Sequence, residues 1–234
     1  MKLEICANSY QSAINAEKTG AHRIELCSEL SVGGITPSHG LLKEVLRDIS
    51  IPVNVLIRPR SGDFVYSDSD FKIMKSNISL CKELGCSGIV SGVLFSDNSL
   101  DTHRTNELIE ISKPMDFTFH RAFDEVTNPR KTLEELINLG VDRVLTSGQK
   151  EKAEDGIELL SDLQKLAENK IIILAGSGIK PDNVKMFKDA GIKEIHASAS
   201  KNLEPNGDSY FGKTIQTVSD IQTIKDILIA IENA

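Results

Sequence analysis

A closed (β/α)8 TIM barrel is the fold this sequence predicts, on two observations. First, a short phrase recurs in which a helical pattern ends in Gly, three residues follow and an aliphatic strand begins. It occurs at Gly20-Ala-His-Arg-Ile24, Gly85-Cys-Ser-Gly-Ile89, Gly140-Val-Asp-Arg-Val144 and Gly191-Ile-Lys-Glu-Ile195. Gly suits the left-handed position that closes a helix, and repeated strand–helix units build a parallel sheet. Second, several strand segments alternate polar and apolar residues, against the solid apolar runs of an open doubly wound sheet. No G-x-G-x-x-G follows the first strand either. A length of 234 residues fits one such barrel, read as a single domain over 1–234.

Eight strand candidates follow in order: Leu3–Cys6, Arg23–Cys27, Val53–Arg58, Gly88–Leu94, Phe117–Ala122, Arg143–Ser147, Ile171–Ala175 and Glu194–Ser198. Each is short and rich in β-branched or aromatic residues. Between them, Leu41, Leu42, Val45, Leu46 and Ile49 mark one helical stripe. Asn128-Pro129 opens another helix with a cap and Pro in the first turn; Leu133, Leu136, Ile137 and Gly140 continue and close it. A last helix carries Ile221, Ile224, Leu228 and Ile231 after Ser219-Asp220. Lys201–Thr217 is poor in large apolar residues and reads as a long exposed loop, mobile or a lid.

Apolar residues make up 40% and charged residues 26%, ordinary for a soluble globular chain. A net charge of −7 disfavours a nucleic-acid footprint, which needs clustered Lys and Arg. No stretch has the length of a membrane span, and Glu4 interrupts any apolar signal core at the N-terminus. A cytoplasmic protein with its four cysteines as reduced thiols is therefore expected. Barrels often associate, so a homo-oligomer is expected too.

Alternation places the chemistry. The outer face of a barrel meets helices and must be apolar, so Leu3, Ile5, Ile24, Leu26, Phe117, Phe119 and Ile195 point out. Glu4, Cys6, Arg23, Glu25, Cys27, Arg58, Thr118, His120, Glu194, His196 and Ser198 then point into the lumen. Those late in their strands reach the C-terminal mouth, where barrel active sites form. Charges inside a barrel cannot stay unpaired. They form a structural network of Glu–Arg pairs, or a pocket with carboxylates and imidazoles for proton transfer and Arg58 and Arg60 for an anion; both can coexist.

The sequence resembles the CutC family along nearly its whole length. The matching motifs are Glu4-Ile-Cys6, Arg23-Ile-Glu-Leu-Cys27, Gly33-Gly-Ile-Thr-Pro-Ser38, Ile57-Arg-Pro-Arg60 followed by Gly62-Asp-Phe64 and Tyr66, Thr118-Phe-His-Arg-Ala-Phe-Asp124, and Arg143-Val-Leu-Thr-Ser-Gly-Gln149. The resemblance implies a (β/α)8 barrel, a role in copper homeostasis, and a cysteine pair matching Cys6 and Cys27 as a Cu(I) site. Three departures stand out: Ala175-Gly-Ser-Gly178 replaces an unbroken glycine run, Ile89-Val-Ser91 stands where Phe is commoner, and Ala197 follows His196 where some relatives carry Cys. The first two bear on pocket shape; the last removes a further thiol.

Cys6 and Cys27 close equivalent E-x-C phrases on neighbouring strands, so their sulfurs should lie near one another at similar depth. Two close thiolates suit copper(I), a soft ion; the rival is a pair of small core residues. Cys81 and Cys86 lack zinc-finger spacing and read as packing. Glu4, Glu25, His120 and Asp124 are the candidates for acid–base work, with Asp124 orienting His120. An anion would rest on Arg58, Arg60, Thr146, Ser147, Gly176, Gly178, His196 and Ser198, since barrels bind phosphate at the loops after strands seven and eight. Asp63 could instead pair with Arg58 or Arg60, and His22, His39 and His103 read as solvated. Three functions stay open: a copper-binding protein without turnover, a lyase or isomerase of a small phosphorylated or carboxylated metabolite, and a scaffold for a partner.

Overall fold

The structure, a computed structural model, describes residues 1–203 and 216–234. Eight parallel strands close into a barrel in sequence order: β1 (Lys2–Ala7), β2 (Arg23–Leu26), β3 (Val53–Leu56), β4 (Gly88–Ser91), β5 (Asp116–Phe119), β6 (Arg143–Thr146), β7 (Ile172–Gly176) and β8 (Glu194–Ala197). A helix follows each: α1 (Tyr10–Thr19), α2 (His39–Asp48), α3 (Asp68–Glu83), α4 (Thr102–Ser112), α5 (Pro129–Asn138), α6 (Ile157–Ala167), α7 (Val184–Asp189) and α8 (Ile221–Asn233). The predicted barrel is the observed one.

The four Gly exits behave as the recurring phrase requires: Gly20, Gly85, Gly140 and Gly191 all have positive φ. Asn128 caps α5 by accepting from Lys131 N–H, with Pro129 in the first turn, and Asp220 caps α8 by accepting from Thr223 N–H. Several strands end earlier than predicted. β5 stops at Phe119, and a 3-10 turn over Arg121–Glu125 begins where the prediction continued to Ala122, because His120 caps that turn through Ala122 N–H. The expected loop over Lys201–Thr217 begins and ends in a small hairpin instead: β9 (Ser200–Asn202) pairs antiparallel with β10 (Thr217–Ser219), Asn202 opposite Thr217. Residues 204–215 lie outside the described residues.

The main core lies between the barrel's outer face and the helices, where Leu3, Ile5, Ile24, Leu26, Ile89, Phe117 and Ile195 are buried. A second, small cluster lies inside the lumen: Cys6, Cys27, Leu56 and Val90, with Leu30 packed against it. The lumen below is charged and paired. Arg23 binds Glu4 at 2.5 Å and Glu194 at 2.8 Å, and Arg143 binds Glu194 at 3.1 Å and Asp116 at 2.9 Å. This is the predicted Glu–Arg plug; it satisfies charges that burial would otherwise penalise heavily. Among the described residues no helix is long and apolar enough to cross a membrane.

Candidate metal centre and mouth cavity

Parallel pairing sets β1 and β2 so that Glu4 stands opposite Arg23 and Cys6 opposite Glu25. The two E-x-C phrases are therefore out of step by two residues in register, with Cys27 one inward position beyond the residue opposite Cys6. The sulfurs still meet, Cys6 Sγ to Cys27 Sγ at 3.6 Å, because the neighbouring strand brings Cys27 diagonally over Cys6. Both thiols are buried.

His196 comes from β8, which pairs with β1 on the other side and sets His196 opposite Glu4. Its Nδ1 lies 2.8 Å from Glu4 Oε1. Cys6, Glu25 and His196 each bring a donor atom to within 4.8 Å of the others. Two glycines give the site's histidines room: a Cβ on Gly176 would stand 3.3 Å from the His196 Cβ and 2.6 Å from Leu145 Cδ1, and one on Gly92 would stand 2.8 Å from His120 Nδ1.

The electrostatics separate the two inward glutamates. Burial opposes ionisation of Glu4, but the His196 hydrogen bond and the Arg23 charge outweigh it and hold the carboxyl at about 2. Glu25 has no such partners; burial, with the Glu4 charge behind it, lifts it to about 7 against the pull of His196. Burial also pulls His196 down, yet the contact with Cys6, the Glu25 charge and the Glu4 bond hold it well above its ordinary value. The Cys6 thiol is pushed well up, first by the Cys27 sulfur and then by burial. His120 goes the other way: burial and the Arg58 charge lower it to about 3, so the ring is neutral.

A cavity of about 560 Å³ opens above these groups at the C-terminal mouth. Of the predicted site residues, Cys6, Glu25, Arg58, His120, Asp124, Gly178, His196 and Ser198 line it. Glu4 sits beneath in the charge network, and Cys27 is fully buried in the small cluster with Leu56, Val90 and Leu30. Arg60, Thr146, Ser147 and Gly176 are not among the lining residues. The Arg60 guanidinium is spent on Asp63, Asp70 and the Val65 carbonyl, the pairing with Asp63 that the sequence left open. Thr146 follows the cavity-lining Leu145, so its side chain leaves the lumen.

Asp124 does not orient His120. Its carboxylate accepts from Thr146 Oγ1, the Ser147 and Gln149 amides and Arg121 Nε, and so fastens the loop after β6. Sequence reasoning did not single out Leu30, Leu56, Leu145 and Ile179, which give the cavity its apolar walls. Cys81 and Cys86 are buried in the outer core, as packing requires.

The CutC family model matches residues 1–201. A CutC protein of Erwinia tasmaniensis is 46% identical over 202 residues, covering 86% of this chain and 80% of that one. One of Proteus mirabilis is 47% identical over 200 residues with the same coverage. The chain belongs to the CutC family. Among solved structures, a CutC protein of Streptococcus agalactiae named for copper homeostasis superposes with a TM-score of 0.80 at 33% identity, covering 85% of this chain and 98% of that one. A phosphoribosylanthranilate isomerase of Pyrococcus furiosus, 14% identical with a TM-score of 0.59, shares the fold alone. In this CutC chain the family match takes in β1 to β8 and every residue of the proposed centre.

Proposed function

We propose that this protein binds copper(I) as its cargo through Cys6 and Cys27, with His196 as third donor and without turnover. The observation that carries the reading is the 3.6 Å separation of the two sulfurs, with a His196 ring nitrogen within 4.8 Å of the nearer one, Cys6 Sγ. With a metal–sulfur bond of about 2.3 Å, the length of zinc thiolates, sulfurs so placed subtend roughly 100° at a shared ion. That is too bent for a linear two-coordinate site and leaves room for a third donor. Imidazole suits copper, whereas carboxylate suits harder ions, which favours His196 over Glu25. Glu4 completes the arrangement by accepting the His196 Nδ1–H and leaving Nε2 for the metal.

The test is a Cu(I) competition titration against a chromophoric chelator. Wild type withdraws copper; Cys6→Ser and Cys27→Ser each lose most of that capacity. Equal binding by all three proteins, or none by any, contradicts the proposal.

A further inference from the structure

Among the described residues six buried side-chain polar atoms have no hydrogen-bond partner, and three belong to residues lining the mouth cavity: Glu25 Oε2, Arg58 Nε and His120 Nε2. Buried polar atoms are nearly always partnered, so each exception asks for an explanation. Three around one cavity point to something that occupies it.

Two of the three are donors. His120 Nδ1 accepts from Ala122 N–H at 3.2 Å, which places the neutral ring's proton on Nε2. Arg58 Nε–H donates by nature, and the rest of that guanidinium is already held by the carbonyls of Val32, Gly34 and Gly62. The backbone thus fixes the arginine and leaves one N–H over. Both donors pack on one aromatic ring: Arg58 lies 5.2 Å from the Phe64 centroid, and His120 lies 4.7 Å from it.

Size argues the same way. A metal ion and its ligand atoms need little of a 560 Å³ cavity, since one water occupies about 30 Å³ of liquid. Small-molecule pockets run from roughly 300 to 1,000 Å³ and combine apolar walls with a few placed polar groups. Leu56, Phe64, Leu145 and Ile179 are such walls. Of the acidic groups at the rim, Asp124 is saturated by its own hydrogen bonds and its ion pair with Arg121, and Glu125 is exposed.

We infer that the mouth cavity holds a small organic oxyanion, a carboxylate or a phosphate ester, whose oxygens take the N–H groups of His120 and Arg58. Its body lies along Phe64 and Ile179 towards Cys6. Neither donor is a copper ligand in the reading above, so this site stands or falls independently of metal binding.

Metal-free wild type and the Cys6→Ser/Cys27→Ser variant are titrated with pyruvate and, separately, with glycerol phosphate, while the ¹⁵N and ¹H resonances of the His120 ring are followed. A saturable shift of Nε2 in both proteins with either probe is the expected result, and the probe that acts identifies the oxyanion. His120→Phe weakens binding about tenfold, the loss of one charge-assisted hydrogen bond, and His120→Gln, which retains an N–H, loses less. No shift with either probe overturns the inference, as does undiminished binding by His120→Phe. Should His120→Phe fail to fold, the resonance titration of wild type decides.

Discussion

His196 donates its Nδ1–H to Glu4 Oε1 at 2.8 Å, while the other oxygen of that carboxylate takes Arg23 Nε–H at 2.5 Å. The carboxylate is thus clamped from below by the barrel's charge network and in turn fixes the imidazole above it. A ligand held this way has its orientation set before metal arrives, and loss of such a supporting partner commonly lowers metal affinity by about 10–100-fold. Glu4→Gln is predicted to weaken Cu(I) binding in that range, measured by competition titration, while all four cysteines remain titratable by a thiol reagent in unfolded protein. Unchanged affinity would show that Glu4 serves the barrel alone.

Arg23 bridges two buried carboxylates, Glu4 and Glu194. Arg23→Met leaves both without their main partner, although Arg143 still reaches Glu194. Breaking a buried pair from one side costs roughly 3–5 kcal/mol. Chemical denaturation should show a loss of that order, and a loss below about 1 kcal/mol would mean that water enters the lumen and screens the pair.

Glu25 sets a pH dependence of its own. Its carboxyl is raised from 4.5 to about 7 in the folded chain, so the stability it permits is full below 4.5 and is lost as pH rises through 7. The shift corresponds to roughly 3 kcal/mol across that window. Glu25→Gln removes the ionisable group, so its stability relative to wild type should rise with pH over the same interval. Denaturation midpoints of the two proteins, compared at pH values on either side of the window, check this; parallel profiles contradict it.

Gly92 lies where a Cβ would stand 2.8 Å from His120 Nδ1 and 3.0 Å from Phe119 Cε2. Gly92→Ala is predicted to displace the His120 ring and break its bond from Ala122 N–H, seen as a shift of the His120 ring nitrogens. The proposed copper site takes its donors from β1, β2 and β8 and none from β4, so it should keep its affinity.

The barrel was legible because its signals are local. A Gly at a helix exit and a two-residue alternation are both read within one element, and Gly20, Gly85, Gly140 and Gly191 close their helices in the left-handed conformation. The convergence of Glu25, His120, Arg58 and His196 at the mouth followed from alternation alone. Register did not. That Glu4 stands beside Arg23 and Cys6 beside Glu25 depends on how neighbouring strands slide to close the barrel, a property no single strand carries. The same blindness left Asp124 near His120 in sequence yet bonded to Thr146 and Ser147, which arrive from β6 and the loop after it. Arg60 was misplaced for another reason: a long side chain two residues past a strand answers to the nearest carboxylates, here Asp63 and Asp70.

Copper-edge X-ray absorption on the Cu(I)-loaded protein tests the proposed centre most directly. The account predicts three-coordinate copper with two sulfur neighbours and one imidazole nitrogen, the sulfur shell halved in Cys27→Ser and the nitrogen lost in His196→Phe. A shell of nitrogen and oxygen alone, or a sulfur shell indifferent to Cys27→Ser, would contradict it.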